Sequence, residues 1–208
     1  MEYIKDPQRI EELSMAIIME RLQGYSFMEE ELAVVKRVVH TTGDVSFAGK
    51  LLFHPGAAAA GAHLLAGGGR LWCDVEMVKS GINRQAAQAA VLEIYCRIHE
   101  PEVAETAKRI GTTRAAAAMF QALTEQPEGG VFVIGNAPTA LFVLLEEVMA
   151  GRARPALVVG TPVGFVGAAE SKEWLTSFDF PWITVQGEKG GSTVAAAIIN
   201  ALLISRRK

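Results

Sequence analysis

The chain has 208 residues, enough for one α/β domain of ordinary size with a sizeable core. Half the residues are hydrophobic and only 7% are aromatic, which excludes a disordered chain and suits closely packed helices and strands. A net charge of −3, with no Lys/Arg run before the Ser205-Arg206-Arg207-Lys208 tail, excludes a whole-protein basic field for nucleic acid. An acidic ligand would have to meet a local cluster of cations.

Asp6 reads as the cap of a first helix, with Pro7 at its first position and Ile10, Leu13, Ile17, Ile18 and Leu22 as its apolar face; Gly24 ends it. Ser26 is expected to cap a second helix, about Glu29 to Val39, that carries Leu32, Val35 and Val39. This helix delivers Arg37 and His40 to the turn sequence Thr41-Thr42-Gly43-Asp44. On that stretch alone His40 reads first as a cap, its cationic form complementing the helix dipole. An imidazole at such a place can also move a proton near neutral pH.

Alanine-rich Pro55 to Ala66 reads as helix, stopped by Gly67-Gly68-Gly69. Strands are expected at 71–75, 91–98, 131–134, 156–159 and 182–185, with a single helical turn at Met77 to Gly81 after the first of them. Helices are expected over Pro101 to Glu125 (interrupted near Gly111), Thr139 to Met149, about Ala168 to Ser177, and from the last glycine loop to about Ile204. Strand and helix alternate, and the strands lack strict polar alternation. The expected fold is therefore α/β: a three-layer α/β/α sandwich with a mainly parallel five-stranded sheet and an N-terminal helical portion. No linker or internal repeat divides the chain, so residues 1–208 are expected to form one domain.

No apolar signal region opens the sequence, and the longest uncharged run, Gly129 to Leu145, is too short to span a bilayer. Cys73 and Cys96 form no CxxC pair and read as reduced thiols, so a cytoplasmic location is expected.

Glycine-bearing loops follow the third, fourth and fifth predicted strands, and each leads into a helix. In an open parallel sheet these loops lie at the carboxyl ends of the strands, where ligands bind, and helix N-termini favour anions. Asn136, Thr139, Ser192 and Thr193 add neutral donors there, and Lys172 and Lys189 add charge. Arg37, Arg84 and Arg114 are further cations suited to carboxylates. Three such loops at one sheet edge favour a polar or anionic ligand over simple tight turns. Asp74 and Glu76 can orient cations or cap a turn.

Rival chemistries find no motif. Gly160 to Gly167 is not GxGxxG, and Gly56 to His63 has P-loop glycine spacing without the Lys and Ser/Thr. His40, His54, His63 and His99 show no HxxxH or HxxH spacing, so no metal is expected. No GxSxG and no Cys–His neighbour pair is present, which argues against covalent hydrolysis.

Taken together, the residues resemble the precorrin-8X methylmutase family, also called cobalt-precorrin-8 methylmutase, over nearly the whole chain. The resemblance rests on Tyr3-Ile-Lys-Asp-Pro7, Ser14, Arg37-Val-Val-His-Thr-Thr-Gly43, Cys73-Asp-Val-Glu-Met-Val78, Gly81-Ile-Asn-Arg84, Thr113-Arg114 and Gly190-Gly-Ser192. It rests above all on the long motifs Gly135-Asn-Ala-Pro-Thr-Ala-Leu141 and Pro162-Val-Gly-Phe-Val-Gly-Ala-Ala-Glu-Ser-Lys172. It implies a Rossmann-like α/β sandwich, a homodimer with the active site near the subunit interface, and no cofactor. The implied reaction moves a methyl group from C-11 to C-12 of a polycarboxylate tetrapyrrole, giving hydrogenobyrinate, or cobyrinate when cobalt is in the ring. His40 takes the position of the family's catalytic histidine, as general acid and base. Ser14, Arg37, Arg84, Arg114, Asn136, Thr139, Gly164, Lys172, Lys189 and Ser192 are the expected substrate contacts. Ala115 and Glu188 depart from common family residues. A non-catalytic tetrapyrrole carrier would use the same loops and cations, and a nucleotide-dependent enzyme is the third alternative.

Overall fold

A computed structural model describes residues 3–205. The first helix, α1 (Pro7–Arg21), starts as expected: the Asp6 carboxylate accepts from Gln8 N at 3.0 Å and Pro7 opens the first turn. The second, α2 (Glu29–Thr42), is capped differently. Its N-cap is Met28 rather than Ser26, and the Glu31 carboxylate reaches back to Met28 N at 3.1 Å. It also runs three residues past the expected Val39, so His40 lies within its last turn. Thr42 Oγ1 donates to Val38 O at 2.9 Å, and Gly43, at φ 66°, supplies the left-handed residue that ends the helix.

A 3-10 turn (Val45–Gly49) leads into β1 (Leu51–Phe53), and α3 (Ala57–Ala66), β2 (Gly69–Cys73), α4 (Glu76–Gly81), α5 (Arg84–Ala89) and β3 (Leu92–Tyr95) follow. Then come α6 (Pro101–Ile110), α7 (Arg114–Glu125), β4 (Val131–Ile134), α8 (Pro138–Met149), β5 (Leu157–Gly160), α9 (Ala168–Leu175), β6 (Trp182–Val185) and α10 (Ser192–Ile204). The sheet has six strands, not the expected five, in the order β1-β6-β5-β4-β2-β3. The additional strand, β1, has three residues, too few to show a period, and pairs antiparallel with β6. Helix α5 is likewise a short element absent from the expected set. The strand expected over 91–98 shrinks to β3: Val91, at a left-handed φ of 53°, falls outside it at one end, and Cys96 to Ile98 fall outside it at the other.

The other five strands are parallel. Numbered among themselves they run 2-1-3-4-5, the flavodoxin-like variant of the doubly wound sheet, with its switch point between β2 and β4. Helices cover both faces. One core joins Leu71, Val133, Val159 and Ile183 to α2, α3, α4, α5 and α10. The other joins Trp72, Phe132, Ile134 and Val158 to α7, α8 and α9. Helix α6 packs outside α7 through Val103, Ala107, Ala117 and Ala118.

Two features depart from the simple βα repeat and matter for the site. Helix α2 packs along α10. A groove of about 600 Å³ brings the start of α2 (Glu29, Leu32) beside the end of α10 (Ala201, Ile204), so the two helices are antiparallel. The last turn of α2 therefore lies at the carboxyl edge of the sheet, where α10 begins. On α1, in contrast, only Ile18 and Leu22 of the expected apolar face are buried, and Ile10, Leu13 and Ile17 face outward.

The switch point itself is closed by Asp74. This buried carboxylate, just past β2, accepts from the backbone amides of Gly135 (3.0 Å), Asn136 (2.8 Å) and Ala137 (2.8 Å). Burial pushes its pKa up, and the same three amides pull it back. Gly135 is needed at this junction, since a Cβ there would stand 2.8 Å from the Ser192 Cα and 2.7 Å from Val78. Removing the carboxylate strands three amides at the switch point. Asp74→Ala is expected to lose at least about 3 kcal/mol in urea denaturation, and Asp74→Asn less. A loss below about 1 kcal/mol for the alanine variant would show that other groups satisfy those amides.

Candidate active site

The carboxyl edge gathers most of the residues singled out in the sequence. His40 is exposed and forms no ion pair with a carboxylate among the described residues. Arg37, one turn earlier and so on the same side of α2, is half-buried; it lines the groove between α1, α2 and α10 together with Met15 and Lys36. Ser14 is half-buried on α1 next to Met15, and its hydroxyl donates to Ile10 O at 2.7 Å.

Past Gly43, the chain meets the loop that precedes α10. Lys189 Nζ donates to Asp44 Oδ2 at 2.5 Å and to Ser46 Oγ at 3.0 Å, and it lies 5.5 Å from the Phe47 ring centroid. The Lys189 ammonium holds the Asp44 carboxyl at a pKa of about 2, helped by Ser46. Behind it, Lys172 of α9 donates to the Lys189 carbonyl at 2.6 Å. Lys172 is only 1% exposed, beside a cavity of about 430 Å³ that Glu173, Thr176 and Thr184 also line. Burial lowers its pKa to about 8, against a smaller upward pull from Glu188. Lys172 thus offers almost no surface to a ligand; it holds the backbone from which Lys189 reaches towards the end of α2.

The remaining loops close up beside this strap. Gly191 N donates to Thr161 O at 2.8 Å, and a Cβ on Gly190 would run into that same carbonyl. Gly164 N donates to Glu188 O at 3.2 Å. Ser192, the first residue of α10, is buried. On the far flank, Thr113 caps α7 by accepting from Ala116 N at 3.2 Å, and its hydroxyl lies 2.7 Å from Thr139 Oγ1 in the first turn of α8. Arg114 and Asn136 are exposed there. Arg37, Arg84 and Arg114 form no ion pair among the described residues, so their guanidinium groups are available to a carboxylate ligand. Ala115 is buried behind Arg114, whereas Glu188 is exposed.

The edge departs from expectation in two places. Arg84 opens α5 beside Asn200, whose side chain accepts from Asn83 N at 2.7 Å. That level is about 12 Å down α10 from Ser192, close to where the groove lined by Arg37 meets Ala201 and Ile204, and away from the loops that precede α8, α9 and α10. In addition, the amides before α8 are not free to bind an anion, because Asp74 takes them. Neither the Asp74 bonds nor the Lys189–Asp44 pair has a local signature, since both join residues far apart in sequence. Both cysteines are free thiols whose pKa burial raises, to about 11 for Cys96, so neither is poised as a nucleophile. No cluster of metal-ligating side chains occurs among the described residues, and none of their helices is long and apolar enough to cross a membrane.

A precorrin-8X methylmutase family model matches residues 9–205. The chain belongs to the precorrin-8X methylmutase family. It is 46% identical to the precorrin-8X methylmutase of Pseudomonas aeruginosa, covering 99% of both chains. It is 45% identical to the cobalt-precorrin-8 methylmutase of Priestia megaterium, covering 95% of this chain and 88% of that one. The crystal structure of precorrin-8X methylmutase from Thermus thermophilus superposes with a TM-score of 0.87 at 38% identity, over 94% of each chain. As a member of this family the chain is an isomerase of cobalamin biosynthesis.

Lys172 generates a pH test. Its amine binds fewer protons folded than unfolded between its lowered pKa of about 8 and the ordinary 10.5. Its burial therefore weakens the fold below that window, and the penalty is relieved as pH rises through it. The stability of the wild type relative to Lys172→Met should improve by up to about 3 kcal/mol between about pH 7 and about pH 10. Paired thermal melts that differ by the same amount at both pH values would contradict this assignment.

Proposed function

We propose that the chain moves a methyl group from C-11 to C-12 of precorrin-8X or its cobalt complex, with His40 as general acid and base. The observation that carries this reading is an exposed imidazole at the carboxyl edge of the sheet, one helical turn from the half-buried Arg37, in a chain of this family. The substrate is an apolar ring fringed by carboxylates. Arg37 and Arg114 would hold those carboxylates; Asn136, Thr139 and the backbone around Gly164 would supply neutral contacts, and Ser14 would add one from α1, where its neighbour Met15 lines the groove with Arg37. Lys172, Lys189 and Ser192 would act chiefly by fixing the edge. Arg84 would reach only a part of the ligand that extends down the α10 side.

A shift of a methyl group within one molecule needs no external redox partner or nucleophile. It needs the ring held in a reactive shape and a proton placed to polarise the conjugated system. His40 would protonate a ring atom as the methyl migrates and recover the proton afterwards. The departure of Ala115 lies beneath Arg114 and that of Glu188 at the rim, so both would tune carboxylate contacts rather than the proton transfer.

His40→Ala should still bind hydrogenobyrinate, seen as a visible absorbance shift, while turnover of precorrin-8X falls about 10²–10⁴-fold. Turnover near that of the wild type would remove His40 from the chemistry, and product binding without turnover by the wild type would favour a carrier.

We also propose that the chain acts as a cytoplasmic homodimer. Ile10, Leu13 and Ile17 form one exposed apolar stripe on α1, which a second copy would cover. Leu13→Glu with Ile17→Glu should turn a dimeric wild type into a folded monomer in sedimentation. A monomeric wild type would contradict this reading.

A further inference from the structure

We propose that Phe165, with Val166 beside it, is the apolar seat on which one face of the macrocycle rests. The proposal deepens the methylmutase reading and rests on it. Phe165 is 87% exposed and Val166 is 89% exposed, the two most exposed large apolar residues among those described. They are not held out by a floppy segment. Pro162 and Ala168, at the two ends of their loop, are buried, and Gly164 N donates to Glu188 O at 3.2 Å. Gly164 (φ 149°) and Gly167 (φ 78°) bracket the pair in backbone conformations suited to glycine. Gly167 lies so close to α8 that a Cβ there would stand 3.1 Å from the Phe142 ring and 3.4 Å from Pro138. A braced loop thus presents two apolar side chains to water.

Its place at the edge says what it presents them to. On one side the loop is bonded to Glu188, whose neighbour Lys189 reaches to Asp44 just past the end of α2 that bears His40. On the other side it packs on Pro138, next to Thr139, which meets Thr113 beside Arg114. The pair is therefore the apolar centre of a row whose two flanks carry a proton-transfer group and a free guanidinium. A flat apolar ring with carboxylates at its periphery matches that pattern: ring over the centre, carboxylates on the flank. A second copy of the chain already has the longer apolar stripe of α1 to cover.

The test titrates hydrogenobyrinate into wild type, Phe165→Ala, Phe165→Leu and Val166→Ala by visible absorbance, with thermal melts and sedimentation of each. Phe165→Ala should weaken binding about tenfold or more, since the transfer of a phenyl side chain out of water is lost. Phe165→Leu should restore most of the affinity, and Val166→Ala should show a smaller loss. All variants should keep the melting temperature and oligomeric state of the wild type, because neither side chain packs within the protomer. Unchanged affinity in Phe165→Ala would overturn the seat. So would a loss of affinity that comes with dissociation of the oligomer, which would make the loop an interface between copies. Failure of the wild type to bind would overturn the methylmutase reading, and the seat with it.

Discussion

The antiparallel packing of α2 on α10 is the constraint on which the site depends. Helix α2 is not part of the repeating strand–helix succession, so nothing in the parallel sheet alone would bring His40 to the carboxyl edge. The packing does so by burying Val34, Val35, Val38 and Val39 in the core shared with α10. The Lys189–Asp44 bond then fastens the end of α2 to the start of α10, and Lys172 fastens Lys189 from below. Two ordinary properties result: a stable helix and a closed loop. Their combination is a histidine whose position is fixed while its imidazole stays exposed.

The electrostatics of the edge follow a division of labour. Charged groups that hold the frame are paired or buried: Asp74 with three amides, Lys172 with a carbonyl, Lys189 with Asp44. Arg37 and Arg114, proposed to meet the ligand, have no carboxylate partner among the described residues. A polycarboxylate would thus find cations whose pairing had not been spent internally, around an apolar centre at Phe165. Such a surface would orient a large ring by where its carboxylates meet those cations.

Much of this was legible in the sequence, for identifiable reasons. Val131–Ile134 is a continuous apolar segment and Trp182–Val185 is broken only by the buried Thr184, as suits strands covered on both faces. Asp6-Pro7 and Thr113-Arg114 carry their helix starts in local chemistry. The misses were elements without a period or contacts without a local origin. Leu51–Phe53 is three residues long, and its strand character comes from pairing with β6. Met28 caps α2 only because Glu31 folds back, and the helix outlasts Val39 only because Thr42 and Gly43 share its termination. At the site, the types of the residues were readable but their states were not. Lys172 and Arg114 look alike in sequence, yet one is sealed beneath a loop and the other is exposed.

The most direct test is a crystal structure of the enzyme with hydrogenobyrinate bound. The expected result is a ring along the carboxyl edge, its C-11 to C-12 region within hydrogen-bond reach of His40, about 3 Å to a ring atom or through one water, with peripheral carboxylates on Arg37 and Arg114. A ring seated elsewhere, for example in the cavity beside Glu173 and Thr184 with His40 facing empty solvent, would contradict it.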